Sequence, residues 1–199
     1  SHHRHHHKYT DKIEDPHPPN LKGFVWAHVG WIMSPANVPT KTEYVKDLMR
    51  YPELRYLDKY HYAAPLSLVI LLYSLGEYMK INYVSYGTNG IELVVWGFFV
   101  STVLLYHATF MVNSVCHVFG YRSYDTKDGS VNNLLVAILT LGEGWHNNHH
   151  AFPNSERQGH QWYQIDISHY ILWFLSLLGI VWKIRQVPED SIKERIYGA

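Results

Sequence analysis

The stretch IELVVWGFFVSTVLLYHATFMV, residues 91–112, carries no charge after Glu92. A helix needs roughly 20 predominantly apolar residues to cross the hydrocarbon of a bilayer. This stretch has that length, and the reading it favours is a membrane span rather than a buried helix of a soluble protein. Upstream, HYAAPLSLVILLYSLGEYM, residues 61–79, is nearly as apolar, with Glu77 close to its far end. The joining residues, KINYVSYGTNG, contain Gly87, Asn89 and Gly90 as turn formers. The expectation is an antiparallel helical hairpin through a membrane, although the mean hydropathy of the whole chain is only −0.20.

The charges orient that hairpin. Nine Lys and Arg precede residue 60, Lys80 lies beside the turn, and seven follow residue 112. The positive-inside rule then places both flanks in the cytoplasm. A third apolar stretch, YILWFLSLLGIVW (170–182), is too short to span comfortably and reads as an interfacial helix. The expected organisation has three parts. Residues 1–60 form a cytoplasmic segment with interfacial helices, 61–112 the transmembrane hairpin, and 113–199 a cytoplasmic cap ending in the interfacial helix. The fold class is all-α, an integral membrane hairpin with a helical cap.

Composition narrows the chemistry. The 199 residues carry 17 basic and 17 acidic side chains, so bulk charge gives no reason to expect nucleic-acid binding. The single cysteine, Cys116, excludes an intrachain disulfide framework and a cysteine-based zinc module, and reads as a packed small apolar residue. Histidine is the abundant ligand type, at 15 residues.

Five of those histidines crowd the opening SHHRHHH, which on its own looks like a purification tag. GEGWHNNHHAFP, residues 142–153, argues otherwise. His146, His149 and His150 stand at i, i+3, i+4, on one face of a helix, and His3, His6 and His7 repeat that spacing about 140 residues upstream. Two crossings return the chain to its starting side, so both triads face the same compartment. Asn113 and His117, in VNSVCH, lie where the second span would leave the bilayer. Seven imidazoles are too many for one ion, and about right for two when a few further ligands join them. Imidazole suits Fe, Zn, Cu and Ni, leaving the metal open at this level.

HRHHHKYTDKIEDPH, GFVWAHVGW, VNSVCHVFGYRSYD and GEGWHNNHHAFP, in this order, resemble the membrane fatty-acyl desaturase family, close to the stearoyl-CoA (delta-9) type. The resemblance covers nearly the whole chain. It aligns His3, Arg4, His6 and His7 with the second histidine box, and His146, Asn147, His149 and His150 with the third. Asn113 and His117 align with an N-x-x-x-H element whose Asn acts through a water.

It implies two iron ions, with zinc as a substitute in purified protein, held by these seven histidines and Asn113. It also implies dioxygen, a saturated acyl chain bound to CoA, lipid or carrier protein, a cytochrome b5 or ferredoxin-type electron donor, and a cis double bond as product. The location implied is a bacterial inner membrane or the endoplasmic reticulum, with the site on the cytoplasmic side. The first box, H-x-x-x-x-H, is not among these residues. The expectation is that it lies upstream with another hairpin, and that this piece alone is inactive. Where animal acyl-CoA members carry basic residues after HVGW, this chain has Met33, Ser34, Pro35 and Ala36. ERQGHQWYQIDIS is closer to bacterial-type members.

Other residues are weaker candidates. His17, Glu143 and Asp166 are candidates for orienting the ligands rather than binding the ions, with structural roles as the alternative. His160 and His169 read as surface residues. A related histidine-box hydroxylase is the nearest rival. A histidine-rich metal transporter is a distant one, since the second span offers only Glu92 and His107 as ionisable groups.

Overall fold

The computed structural model describes residues 1–195. Among these the regular structure is helical with no β-strand, and two isolated antiparallel bridges, Tyr121–Asn132 and Asn132–Trp145, are the only sheet-like pairing. The elements that matter for function are α1 (His2–Tyr9), α2 (Ala63–Asn82), α3 (Gly90–His117), α4 (Leu134–Leu139), α5 (His146–Ala151) and α6 (Ile167–Leu177). The chain divides into two compact units, Ser1–His2 with Pro39–His107, and His3–Val38 with Ala108–Ala199. These boundaries cut across the hydropathy divisions at 60 and 112. The first unit takes in α2 and α3 as far as His107, and the second gathers the last turns of α3 and both histidine triads.

In the first unit, α2 and α3 are long and apolar enough to cross a membrane, and in each only 6% of the most apolar window is buried. A core helix of a soluble protein would be covered by its neighbours. The turn follows the sequence expectation: Gly87 adopts φ +61°, and the Asn89 side chain caps α3 by accepting the Glu92 N–H at 3.0 Å. The Glu77 carboxylate accepts the Gly90 N–H at 3.1 Å, tying the end of α2 to the start of α3.

The helices meet there backbone to backbone. A Cβ on Gly76 would lie 2.5 Å from the Gly90 Cα, and one on Gly90 would lie 2.7 Å from the Tyr73 carbonyl. Small residues permit such an approach between apolar helices. Gly76→Val is expected to cost about 1–3 kcal/mol through overpacking against rigid backbone. It should appear as a lower unfolding temperature and loss of monodispersity in detergent.

The helix α3 is not uniform. It widens into π-helical turns over Val95–Val100, is regular over Ser101–Ser114, and tightens to a 3-10 turn at Val115–His117. Asn113 and His117 therefore do not sit on one unbroken α-helical face. The final tightening redirects His117.

The second unit has a small apolar core, Val112, Cys116 and Val136, with Cys116 fully buried as the sequence suggested. Much of its remaining interior is polar: His6, Asp15, Asn132, Asn147, Asn148 and Gln164 are each at most 1% exposed. An interior of that kind is stable only when its polar atoms find partners, and here most of them surround α5. The helix expected at 170–182 is instead Ile167–Leu177, because Gly179 turns the chain at φ +70°.

Candidate metal centre

Each triad folds as the i, i+3, i+4 spacing requires, on α1 and on α5. The two sets then interleave into two nests. In the first, Nε2 atoms of His3, His7 and His149 form a triangle with edges of 2.8, 3.2 and 3.2 Å. In the second, His146 Nε2 lies 3.0 Å from both His117 Nε2 and His150 Nε2, and His6 completes a four-imidazole group. The second nest is the more enclosed, with His6 and His146 at most 2% exposed.

These contacts cannot all be hydrogen bonds. A neutral Nε2 either carries a proton or offers a lone pair, so three that converge mutually cannot each donate and accept. Nitrogens about 2.1 Å from a shared ion and at right angles to one another lie about 3.0 Å apart. The observed spacing matches that value, and the buried His6 Nε2 has no hydrogen-bond partner. The donor set fits two cations.

Carboxylates fix the ring tautomers. Asp15 accepts from His6 Nδ1 at 3.0 Å with both oxygens, and Asp128 accepts from His150 Nδ1 at 3.1 Å. A proton held on Nδ1 leaves the Nε2 lone pair facing the nest. Asp11 lies 3.9 Å from His117 Nδ1 and accepts the Gly129 N–H. Its φ of +60° ends α1 and turns the chain, and the Asp11 N–H donates to Asp15 at 2.8 Å. Aspartate tolerates that left-handed conformation better than most residues.

The third-box Asn147 is a clamp. Its Oδ1 accepts the Ser123 and Tyr124 N–H groups at 2.8 Å each, and its Nδ2 donates to the carbonyls of Tyr124 and Ser130 at 3.2 Å. Asn132 Oδ1 accepts the Asn147 N–H, and Asn132 Nδ2 donates to Asn148 Oδ1. This net holds a six-residue helix that would not persist alone. Gly144 is needed beside it: a Cβ there would lie 2.0 Å from the Ala137 nitrogen.

Burial, reinforced by neighbouring imidazoles, pushes His149 down to about 3 and holds His6 and His146 well below the usual histidine range. Burial, with the nearby His6, likewise lowers His17 to about 3. Burial alone would raise Asp128, but its bonds with His150 and Ser130 keep it well below the carboxylate range. His6, His146 and His149 are thus neutral imidazoles at neutral pH and Asp128 is anionic, the protonation a cation requires.

Residues 1–183 match the sequence profile of the fatty acid desaturase family. The chain belongs to the fatty acid desaturase family. It is 40% identical over 193 residues to the sn-1 stearoyl-lipid 9-desaturase of Synechocystis sp., covering 97% of this chain and 57% of that protein. Identity is 38% over 197 residues to a palmitoyl-monogalactosyldiacylglycerol delta-7 desaturase of Arabidopsis thaliana, covering 98% and 49%. It is 40% over 197 residues to an acyl-CoA C20 Delta5-desaturase of Anemone leveillei, covering 98% and 58%. The chain spans about half to three-fifths of the length of these relatives.

Within this desaturase-family chain, the seven histidines named from sequence lie together, while Asn113 stands half-buried on the last α-helical turn before His117. Of the three candidate orienting residues, His17 touches the nests. Its ring stacks on His6 at 4.2 Å, and its N–H donates to Asp15. Glu143 does not orient His146. It accepts from Gln158 Nε2 at 2.9 Å, and His146 Nδ1 has no partner. Asp166 is a helix cap, accepting the His169 N–H at the start of α6 and the N–H groups of Gln158 and Gly159. His169 is not a surface residue: it is buried and bonded to Glu156 at 2.6 Å. His160 is half-buried, accepting or donating at Tyr124 OH. Asp15 and Asp128 had no spacing signal, since each reaches its histidine through a turn rather than along a helix.

The desaturase fold should weaken in acid when metal-free. Unfolded imidazoles take up protons near 6.5, whereas His17 and His149 resist until about 3. The unfolded chain therefore binds more protons throughout that window. Stability is intact above about 6.5 and is lost as pH falls toward 3. Thermal melts of chelator-treated protein at neutral pH and about pH 5 should show the midpoint falling with pH.

Proposed function

We propose that this chain forms part of an oxygen-dependent desaturase that places a cis double bond, at the delta-9 position, in a saturated acyl chain carried on a membrane lipid. The observation that carries the reading is the pair of imidazole nests, three and four Nε2 donors, built from two triads far apart in sequence. The delta-9 and lipid assignments are supported by the similarity to sn-1 stearoyl-lipid 9-desaturases of Synechocystis sp. and Anabaena variabilis. The uncharged Met33–Ala36 segment after HVGW, which lacks basic groups for CoA phosphates, agrees with them.

In this proposal His3, His7 and His149 hold one iron, and His6, His117, His146 and His150 the other. Asn113 acts through a water. The irons supply, when bound, the oxidising power that removal of hydrogen from an unactivated methylene pair demands and that side chains lack. The protein contributes the rest. Helices α1 and α5 present the imidazoles, Asp15 and Asp128 hold their tautomers, and the Asn147 net keeps α5 in place. The overall reaction consumes dioxygen, two electrons from a cytochrome b5 or ferredoxin-type donor and two protons, and yields the alkene and two waters. The spans α2 and α3 would anchor the chain in the bilayer that holds the lipid substrate, with the histidine face cytoplasmic as the charge distribution directs.

The test is expression of the full-length protein in a desaturase-deficient host, with fatty acid methyl esters resolved by gas chromatography and mass spectrometry. A new cis-9 monoenoic acid is expected. A hydroxy acid in its place, or an unchanged profile, would overturn the assignment.

A further inference from the structure

We infer that α4 and α6 of the second unit form a lipid-dipping ledge, inserted in the bilayer surface beside the exit of α3. This rests on the reading of α3 as a span, and it joins to the helix read as interfacial from residues 170–182 a second one, α4, whose six residues gave no such signal.

The first observation is the inverted character of both helices. In α4, Val136 and Ala137 are buried, while Leu134, Leu135, Ile138 and Leu139 are each more than half exposed. In α6 the single buried residue is His169, and Tyr170, Ile171, Trp173, Phe174 and Leu177 face outward. A helix on a water-facing surface turns its polar side outward. From Val131 to Gly142 the sequence offers no charged side chain.

The second observation fixes the depth. Val136 packs on Val112 and Cys116, with Met111 and Val115 alongside, and these are the last turns of α3. The helix α4 is therefore held at the level where a span leaves the hydrocarbon. The third observation makes the surface continuous: the Ser168 N–H donates to the Leu141 carbonyl at 2.9 Å, joining the end of α4 to the first turn of α6. Trp162 and Trp182 are 90% and 73% exposed at the two ends of the α6 segment, and Lys183 and Arg185 follow. Exposed tryptophans followed by cations suit the headgroup layer, where amphipathic rings and basic groups meet anionic lipid. Contiguous apolar surface of this kind marks a binding face, and the aromatic and basic flanks together with the contact on α3 select lipid as its occupant.

Site-directed spin labels test this. Cys116 is fully buried, so a label directs itself to an introduced cysteine. Full-length protein in nanodiscs of phosphatidylcholine and phosphatidylglycerol would carry Leu135→Cys or Leu139→Cys, with Val103→Cys in the span and Asp125→Cys as an aqueous reference. Collision with oxygen is compared with collision with an anionic chromium oxalate complex, which hydrocarbon excludes. The expected oxygen-to-oxalate ratio at Leu135 and Leu139 is about tenfold above that at Asp125, as burial in lipid requires. A ratio equal to that at Asp125 overturns the ledge while Val103 stays lipid-like. Exclusion of both reagents, meaning cover by protein, also overturns it. An aqueous ratio at Val103 overturns the reading of α3 as a span together with the ledge.

Discussion

His149→Ala in the full-length protein is expected to remove the desaturated product altogether, and with it about half of the bound iron. The reason is geometric. His149 Nε2 lies 2.8 Å from His7 Nε2 and 3.2 Å from His3 Nε2. Without it the first nest retains two donors from one helix, neither backed by the carboxylates that steady His6 and His150. Loss of a group that merely orients a ligand costs about 10–100-fold in metal affinity or activity, so loss of a donor itself should exceed about a hundredfold and put product below detection. Four donors remain in the second nest. Iron measured by plasma mass spectrometry should fall toward one ion per chain rather than to none. The fold should survive, since α5 is anchored through Asn147 and Asn148 rather than through His149. Unchanged unsaturation in this variant would remove His149 from the proposed ligand set.

What could be read from the sequence followed from regular spacing. The hairpin was legible because two apolar runs of span length flank a Gly- and Asn-rich turn. The triads were legible because i, i+3, i+4 defines a helix face wherever it occurs. The carboxylates escaped because Asp15 reaches His6 only after Asp11 has turned the chain at φ +60°, and no periodic rule reports such a turn. Glu143 misled for the complementary reason, and Asp166, the weaker candidate, caps α6 instead. A carboxylate one helical turn from a histidine suggests contact, yet Glu143 precedes α5, where the chain is not helical, and bonds Gln158 instead. His169 read as a surface residue, whereas in α6 it is the apolar residues that face outward and the histidine that is buried. The ledge was hidden in the same way: six apolar residues in α4 are too few to signal a membrane contact until their depth against α3 is known.

Asp15→Asn should separate orientation from ligation, because it changes no donor in either nest. Asp15 is 1% exposed and accepts three N–H groups through four contacts: His6 Nδ1 and the Asp11 and His17 backbone N–H groups. The count includes both of its contacts to His6 Nδ1. Asparagine keeps the volume and one acceptor oxygen, but substitutes an amide donor for the second oxygen and removes the negative charge. The imidazolium character of a His6 ring bound to a cation then loses its counter-charge, and the Nδ1–H tautomer loses its strongest support. Iron affinity, read by chelator competition, is expected to fall about 10–100-fold, the range for such orienting carboxylates. Asp15→Ala should fall further, since a truncated side chain leaves the Asp11 and His17 N–H groups buried without an acceptor, each at a cost of about 1–3 kcal/mol. The ordering wild type, Asn, Ala in metal affinity, with Asn, which leaves one of those backbone N–H groups unmatched, losing less metal-free thermal stability than Ala, which leaves both, marks Asp15 as a positioning residue. Equal losses of metal-free stability in both variants would instead make it a residue of the fold alone.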